Sequence, residues 1–266
     1  MTNFTTPLLP LMADIWQRTL NWQPTTQQQK QFQQLYELIL EGNRQLNLTR
    51  IIDPEEFWEK HLWDSLRGIA PLLSGEIDFP VSSASPTFID IGTGAGFPGI
   101  PVACAMVKDP PFLRNAPRTA IACQITLLDS TRKKITFIEQ ILSELPLNNA
   151  KTLVGRAEEI GQHPQHRERY DVALIRAVGT GSACAEYTLP LLKKNGLAVI
   201  YRGNWTEEET TALENAVEQL GGVIESIEKF TTPLSNSIRH CLYLRKVSNT
   251  PAKFPRAVGV PTQKPL

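Results

Sequence analysis

The stretch Phe88-Ile89-Asp90-Ile91-Gly92-Thr93-Gly94-Ala95-Gly96-Phe97-Pro98-Gly99 is where the residue types of this chain first point to chemistry. An apolar run leads through an acid into closely spaced glycines, which reads as a buried strand, a tight turn and the start of a helix. A backbone bare of side chains lets a nucleotide-like ligand lie against it. Further polar groups fall at the ends of the next predicted strands. Asp129 closes the strand at 121–128 and can accept two hydrogen bonds from a ribose diol. After the strand at 151–154, Gly155-Arg156-Ala157-Glu158 offers a backbone amide and a carboxylate that suit the edge of an adenine. After the strand at 171–175, Arg176-Ala177-Val178 adjoins the glycine turn, where the reactive end of a cofactor would lie.

The glycines alone leave the ligand open. Gly94 to Gly99 satisfies G-x-G-x-x-G, the dinucleotide pattern. Asp90 to Gly96 satisfies D-x-G-x-G-x-G, the usual turn of enzymes that use S-adenosylmethionine (SAM). Both ligands carry a ribose, so Asp129 does not separate them. The gap from Gly96 to Asp129 is 33 residues, against about 20 in dinucleotide-binding chains; the proline-containing segment 108–119 reads as an inserted loop that accounts for the excess. Each feature also has a plain structural explanation. The turn can serve close helix packing, Asp129-Ser130 can cap a helix, Glu158 can be a solvated first-turn acid, and Arg176 can be a buried ion-pair partner. Polar groups at three successive strand ends after the glycines favour a cofactor site. No Ser/His/Asp or Cys/His set has distinctive spacing, so no catalytic acid or base is assigned. His163 and His166 flank a proline and lack a third ligand, so no metal is expected.

These residues need elements to position them. Apolar residues at helical spacing, among them Phe32, Leu35, Tyr36 and Ile39, predict a helix over 25–48 with glutamines on its other faces. Pro54 opens a second helix to about Ile69. The Ser/Pro-rich stretch 74–86 reads as a connection. Beyond it strands at 87–91, 121–128, 151–154, 171–175 and 196–201 alternate with helices near 98–107, 131–144, 182–192 and 206–220. Two further strands, 222–230 and 238–245, follow without a helix between them. The pattern predicts an α/β fold with a mostly parallel seven-stranded sheet and an antiparallel edge hairpin. It divides the chain into a helical extension (1–73), a cofactor-binding domain (74–246) and a basic, proline-rich tail (247–266).

With 266 residues, 41% of them hydrophobic and 20% charged, the chain is of ordinary globular composition. Its formal net charge is zero, so attraction to nucleic acid must come from local patches. Four scattered cysteines without a C-x-x-C pair fit a reducing compartment. The N-terminal apolar run Leu8–Ala13 is short and broken by Pro10, and no run is long enough for a bilayer, so the cytoplasm is expected.

Taken in order, FIDIGTGAGFPGIP, LLDSTRKK-x-x-F, GRAEE, DVALIRAVG and RHCLYLRK resemble the bacterial small-subunit rRNA guanine-N7 methyltransferase family, also called the glucose-inhibited division protein B family. The likeness extends to Asn47-Leu48-Thr49, to His61-Leu62-Trp63-Asp64-Ser65 and to the tail Lys253-Phe254-Pro255-Arg256 with Gly259 and Pro261. It covers roughly residues 25 to 266; residues 1–24 lie outside it and the 108–119 loop departs from it. The resemblance implies a class I SAM-dependent methyltransferase (Rossmann-like) fold. It implies SAM contacts at Gly92, Gly94, Gly96 and Phe97, at Asp129, Ser130 and Thr131, at Ala157 and Glu158, and at Arg176, whose guanidinium suits a methionine carboxylate or an incoming guanine. The implied substrate is one guanine in the decoding-region loop of 16S rRNA, in the 30S subunit, with no metal, membrane or obligate protein partner.

For a phosphate-rich partner the basic residues matter. From Lys229 to Leu266 there are seven Lys or Arg and no acid, and Arg132-Lys133-Lys134 adds a cluster after the ribose-side turn. Such a one-sided basic end suits phosphates, although a solvated basic tail has the same composition. Arg132, Lys133, Arg239, His240, Lys253 and Arg256 are the expected RNA-side residues, with His240 equally readable as a satisfied strand residue. The tail prolines favour an extended form lying along RNA.

Overall fold

A computed structural model describes residues 6–74, 85–106 and 123–266. The expected loop at 108–119 and most of the connection at 74–86 lie outside the described residues.

The parallel part of the sheet consists of β1 (Thr87–Ile91), β2 (Gln124–Asp129), β3 (Ala150–Val154), β4 (Tyr170–Arg176) and β5 (Leu192–Arg202). The hairpin β6 (Gly222–Thr231) and β7 (Ile238–Lys246) closes one edge. The seven strands run in the order β3-β2-β1-β4-β5-β7-β6, with β7 antiparallel to both neighbours. The chain reverses direction across the sheet between β1 and β4, which makes their carboxyl ends the switch point where ligands bind in such sheets. Ile91 of β1 stands opposite Leu128 of β2 and Ile175 of β4, so the three strand ends lie side by side.

Alternation along the strands feeds two cores. Phe88, Leu127, Val172, Leu174, Val199 and Tyr243 face one layer; Ile89, Leu128, Ala173, Ile175, Ile200 and Leu242 face the other. The period of two explains why the central strands β1, β2 and β4 are largely apolar and buried: both of their faces are covered. The second layer holds α9 (Gly181–Thr188) and α10 (Glu207–Gln219), with α8 (Ala157–Gln162) beside α9.

The first layer holds α6 (Gly99–Ala105), α7 (Arg132–Glu144) and the helical extension. That extension comprises α1 (Ala13–Leu20), α2 (Thr26–Leu46), a helix from α3 (Pro54–Phe57) through a π-helical stretch (Trp58–Trp63) into α4 (Asp64–Arg67), and the single turn α5 (Ala70–Leu73). The helices at 25–48 and from Pro54 follow the sequence pattern; the short α1 was not anticipated. Trp16, Phe32, Tyr36 and Trp58 belong to the same core as Phe88, Ile125 and Tyr243, so the extension is a layer of one body and has no core of its own. Polar contacts fix its orientation. Tyr201 donates its hydroxyl to Ser65 O at 2.7 Å and Tyr243 to Gly68 O at 3.1 Å. The Glu59 carboxylate accepts from the backbone of Leu234 and Ser235 in the hairpin turn.

The tail does not extend into solvent along its prolines. Arg167 donates to the carbonyls of Thr250, Pro251 and Phe254, and Gln162 at the end of α8 donates to those of Ala252 and Pro255. Phe254 is buried in the second core. The tail therefore lies along α8 and α9, because side chains of the body satisfy its backbone carbonyls and take up its one large apolar group. It ends in a helical turn, α11 (Val260–Gln263).

Candidate active site

The glycine turn is built from β1 outward. Asp90 is fully buried, and its carboxylate accepts from Gly99 N at 2.8 Å, which ties the strand to the first turn of α6. Burial pushes its pKa up to about 6. Gly92 adopts φ 71°, and a Cβ there would stand 2.7 Å from a Val178 methyl, so neither the conformation nor the space admits a side chain. Gly92 and Thr93 donate their amides to Leu128 O at 2.8 and 2.9 Å, which binds the turn to the end of β2.

Asp129 holds the turn from that strand end. One carboxylate oxygen accepts from Gly94 N at 3.0 Å, the other from Thr131 N at 2.8 Å, and Lys134 Nζ stands 3.9 Å away. A carboxylate has about four acceptor positions, so room for a diol remains on each oxygen. Glu158, in the first turn of α8, accepts on Oε1 from Gly259 N at 2.9 Å and from the Tyr187 hydroxyl at 3.4 Å.

These groups surround one cavity of about 400 Å³. Gly92, Asp129, Ser130, Thr131, Ala157 and Glu158, drawn from three separate strand ends, all line it. Gly94, Gly96, Phe97 and Arg176 stand outside that lining. Gly94 serves the bond to Asp129, and a Cβ on Gly96 would strike Ile100, so both shape the turn itself. Lining residues outside the expected cofactor stretches include Lys134, Tyr187 and Thr262. Lys134 belongs to the basic cluster that opens α7. Tyr187 and Thr262 sit on a helix face and in the tail, and no local pattern marks them.

Phe97 and Arg176 belong to an adjoining group made with the extension. The Phe97 ring stacks on His61 with centroids 4.3 Å apart at an interplanar angle of 11°, and the Arg176 guanidinium lies 5.8 Å from the Phe97 ring centroid. Arg176 donates to Asp64 and to Lys60 O, each at 2.9 Å. Asp64 thus partners Arg176 and has no bond to His61. The His61 Nε2 pairs with the Thr49 hydroxyl at 2.9 Å, and the Ser65 hydroxyl donates to the His61 carbonyl. Burial, followed by the charges of Arg176 and Lys60, holds the His61 pKa down to about 3, so the imidazole is neutral near pH 7.

The expected RNA-side residues do not form one patch. Arg132 and Lys133 are exposed where α7 leaves the cavity rim. Arg239 and His240 open β7 opposite the end of β5, on the same sheet edge as the glycine turn. His240 is buried, with Nδ1 2.6 Å from Gly203 O, as a satisfied strand residue would be. Lys253 is exposed beside the far end of α8. Arg256 is held by Glu186 through three side-chain contacts of 2.6 to 3.1 Å. Of the other basic residues after Glu228, Arg245 pairs with Glu225. Lys246 is buried against Leu189 O and Thr250, and burial lowers its pKa to about 8. Arg245 stands opposite Leu197, near the start of the parallel run of β5, so Arg245 and Lys246 are on the sheet edge away from the cavity. The expected one-sided basic surface is therefore split, since β7 spans the sheet and its basic residues sit at its two opposite ends.

Among the described residues no group of three or more His, Cys, Asp or Glu is placed to hold a metal, and no helix is long and apolar enough to cross a membrane. His166 Nδ1 instead lies 2.8 Å from the Tyr170 hydroxyl.

Comparison with known proteins bears on the chemistry of this cavity. Residues 28–241 match the family profile described as GidB, rRNA small subunit methyltransferase G. Proteins named ribosomal RNA small subunit methyltransferase G from Nostoc punctiforme and Trichormus variabilis are each 72% identical over 261 residues, 98% of this chain and 100% of theirs. The one from Trichodesmium erythraeum is 57% identical over 97% of this chain and 95% of its own. A solved SAM-dependent methyltransferase from Methanosarcina mazei aligns at TM-score 0.46 and 13% identity, over 62% of this chain and 94% of that one. With a profile match that takes in the glycine turn and every strand end around the cavity, and relatives matched along their full length, the chain belongs to the GidB family, rRNA small subunit methyltransferase G.

Proposed function

We propose that this chain transfers the methyl group of SAM to N7 of a guanine in the decoding-region loop of 16S rRNA, on the small ribosomal subunit in the cytoplasm. The observation that carries the reading is the convergence of the glycine turn, Asp129-Ser130-Thr131 and Ala157-Glu158 on one cavity in a chain of this family. The donor set fits SAM. The Gly92 turn has no room for a side chain and leaves bare backbone to the ligand. Asp129 has acceptor positions for the ribose diol, and Ala157 with Glu158 presents an amide and a carboxylate to the adenine. Arg176 at the end of β4, outside the cavity lining and paired with Asp64, has a guanidinium suited to a methionine carboxylate or to the guanine.

SAM supplies an electrophilic methyl carbon on a sulfonium sulfur. Guanine N7 has a free lone pair and loses no proton on methylation, so the chain needs no general base. His61 is neutral and already bonded to Thr49, and Asp90 is fixed to Gly99 inside the fold. What remains for the protein is to hold the two reactants in line, which is catalysis by positioning. Phe97, stacked on His61 and 5.8 Å from the Arg176 guanidinium, and the exposed Arg132 and Lys133 at the cavity rim are the groups suited to orienting the base and meeting phosphates.

The decisive experiment incubates the protein with radiolabelled SAM and small subunits lacking the modification, then digests the RNA and identifies the labelled nucleoside. N7-methylguanosine is the expected product. Label on another base, or none while SAM still binds, would overturn the assignment of the acceptor.

A further inference from the structure

The C-terminal segment was expected to meet RNA, yet its contacts point inward. Three observations bear on what it does. First, Glu186 is 0% exposed, and among the described residues its ion-pair partner is Arg256, which binds it through Nε and Nη2 while the Arg256 amide donates to Oε1 at 2.7 Å. A buried carboxylate bonded by both the backbone and the guanidinium of one residue fixes that residue in place. Second, three residues later Gly259, at φ 83°, turns its amide onto Glu158 Oε1, and the Tyr187 hydroxyl shares that oxygen. Oε2 carries neither of these contacts. Third, α11 places Thr262 in the cavity lining, with its hydroxyl beside the Tyr187 phenol and donating to Gly259 O at 3.0 Å. The tail thus returns along α8 from its far end, at Gln162, to its first turn, at Glu158.

We propose that residues 254–263 form the wall of the SAM pocket next to Glu158. Arg256 acts on SAM binding as a positioning residue through Glu186, and its guanidinium does not serve RNA. The anchor at Glu186 sets the height of the tail, and Gly259 aims the Glu158 carboxylate. The anchored α11 brings Thr262 to the cavity beside Tyr187. This rests on the cavity being the SAM site. The inference explains how a carboxylate on a six-residue helix is held in one orientation: its two partners, Gly259 and Tyr187, come from the tail and α9.

Two full-length variants test it. Replacing both ion-pair partners, Glu186→Gln with Arg256→Gln, avoids leaving one buried charge unpaired. Thr262→Trp adds bulk at an exposed position and so leaves the core intact while filling the cavity side. Binding of S-adenosylhomocysteine by calorimetry, KM for SAM, kcat, and RNA affinity at several salt concentrations are read for each, with thermal melts to confirm folding. Both variants should weaken S-adenosylhomocysteine binding and raise KM for SAM roughly tenfold, the order expected when one ligand-side hydrogen bond to a charged group is removed. RNA affinity and its salt dependence should stay as in the unaltered protein, and the conservative Arg256→Lys should recover part of the loss. Unchanged cofactor affinity in a folded Thr262→Trp protein would overturn the proposal. So would an Arg256 variant that loses RNA affinity and salt dependence while binding cofactor normally. If the unaltered protein binds no S-adenosylhomocysteine, the underlying assignment of the cavity fails instead, a result the variants cannot mimic.

Discussion

His61 shows how far a residue's chemistry depends on its surroundings. In the unfolded chain its imidazole takes up a proton as pH falls through 6.5; in the fold it stays neutral to about 3, mainly through burial. Across that window the unfolded state binds more protons, so this residue makes stability fall as pH drops. Asp90 acts in the opposite sense. Its folded pKa is raised from 3.8 to about 6, so between those values the native state holds the extra proton and gains stability as pH falls. The His61→Phe variant keeps a ring stacked on Phe97 and removes the first effect. Between pH 7 and 5 the unaltered protein should lose about 1–2 kcal/mol more than the variant, measured by urea unfolding at each pH. Equal losses would show that His61 is not the group being titrated. Asp64 tests the neighbouring ion pair, whose side chains are only 16% (Arg176) and 12% (Asp64) exposed. Asp64→Ala leaves Arg176 without its countercharge and should cost about 2–4 kcal/mol in denaturant titrations, with methyl transfer reduced as well. Retained stability together with retained activity would show that Lys60 O alone holds the guanidinium.

Among the elements, α4 and the strands beneath it determine whether the extension sits correctly over the switch point. Gly68 follows α4 and lies against the Tyr201 ring, where an added Cβ would stand 2.3 Å from two ring carbons. Tyr201 cannot yield freely, because its hydroxyl is bonded to Ser65 O and it is buried. Gly68→Ala should therefore destabilise by about 1–3 kcal/mol through overpacking, read from the unfolding midpoint. Because α4 carries Asp64, the same substitution should reduce methyl transfer before it unfolds the protein; full activity at reduced stability would separate the docking of α4 from the site. The helix over 25–48 was legible from its apolar spacing, and the structure shows a reciprocal capping box of Thr25 and Gln28 at its start. Its tertiary use was not: the Gln28 side chain also donates to the carbonyls of Cys104 and Ala105 at the end of α6.

At the scale of the molecule, a chain of zero net charge meets a polyanion through local surfaces. The described structure leaves Arg132 and Lys133 exposed at the cavity rim, and commits Arg245, Lys246 and Arg256 to ion pairs. Arg132→Ala with Lys133→Ala should lower the slope of log affinity against log salt by about one for each phosphate no longer neutralised, and should leave S-adenosylhomocysteine binding unchanged, because neither residue lines the cavity. An unchanged slope would place the phosphate-binding residues elsewhere, with Arg239 the next candidate on that sheet edge.

Much of this molecule was determined locally. Strands whose apolar run reflects two covered faces, the glycine needed at position 92 for a positive φ, and polar residues placed just after strands 2 and 3 are all consequences of short-range geometry. They were readable from spacing, as were the order of the strands after residue 86 and the helices that precede β2, β3, β5 and β6; the short α8 and α11 were not. The mostly parallel sheet with its antiparallel edge followed from the missing helix between the last two strands. What the sequence left open depends on residues far apart in the chain. Nothing near His61 or Asp64 announces Phe97 or Arg176 as partners, and the partnership of Arg176 spans 112 residues. The tail reads as a basic, extended segment because composition records charge but not what lies beside it. Only packing reveals that Glu186 and Glu158 wait for Arg256 and Gly259 across 70 and 101 residues. Local periodicity specifies elements, because backbone hydrogen bonding and side-chain alternation repeat over a few residues. The partners of a buried charge are chosen by the whole fold, since a charge withdrawn from water must be met by whatever group the tertiary structure brings to it.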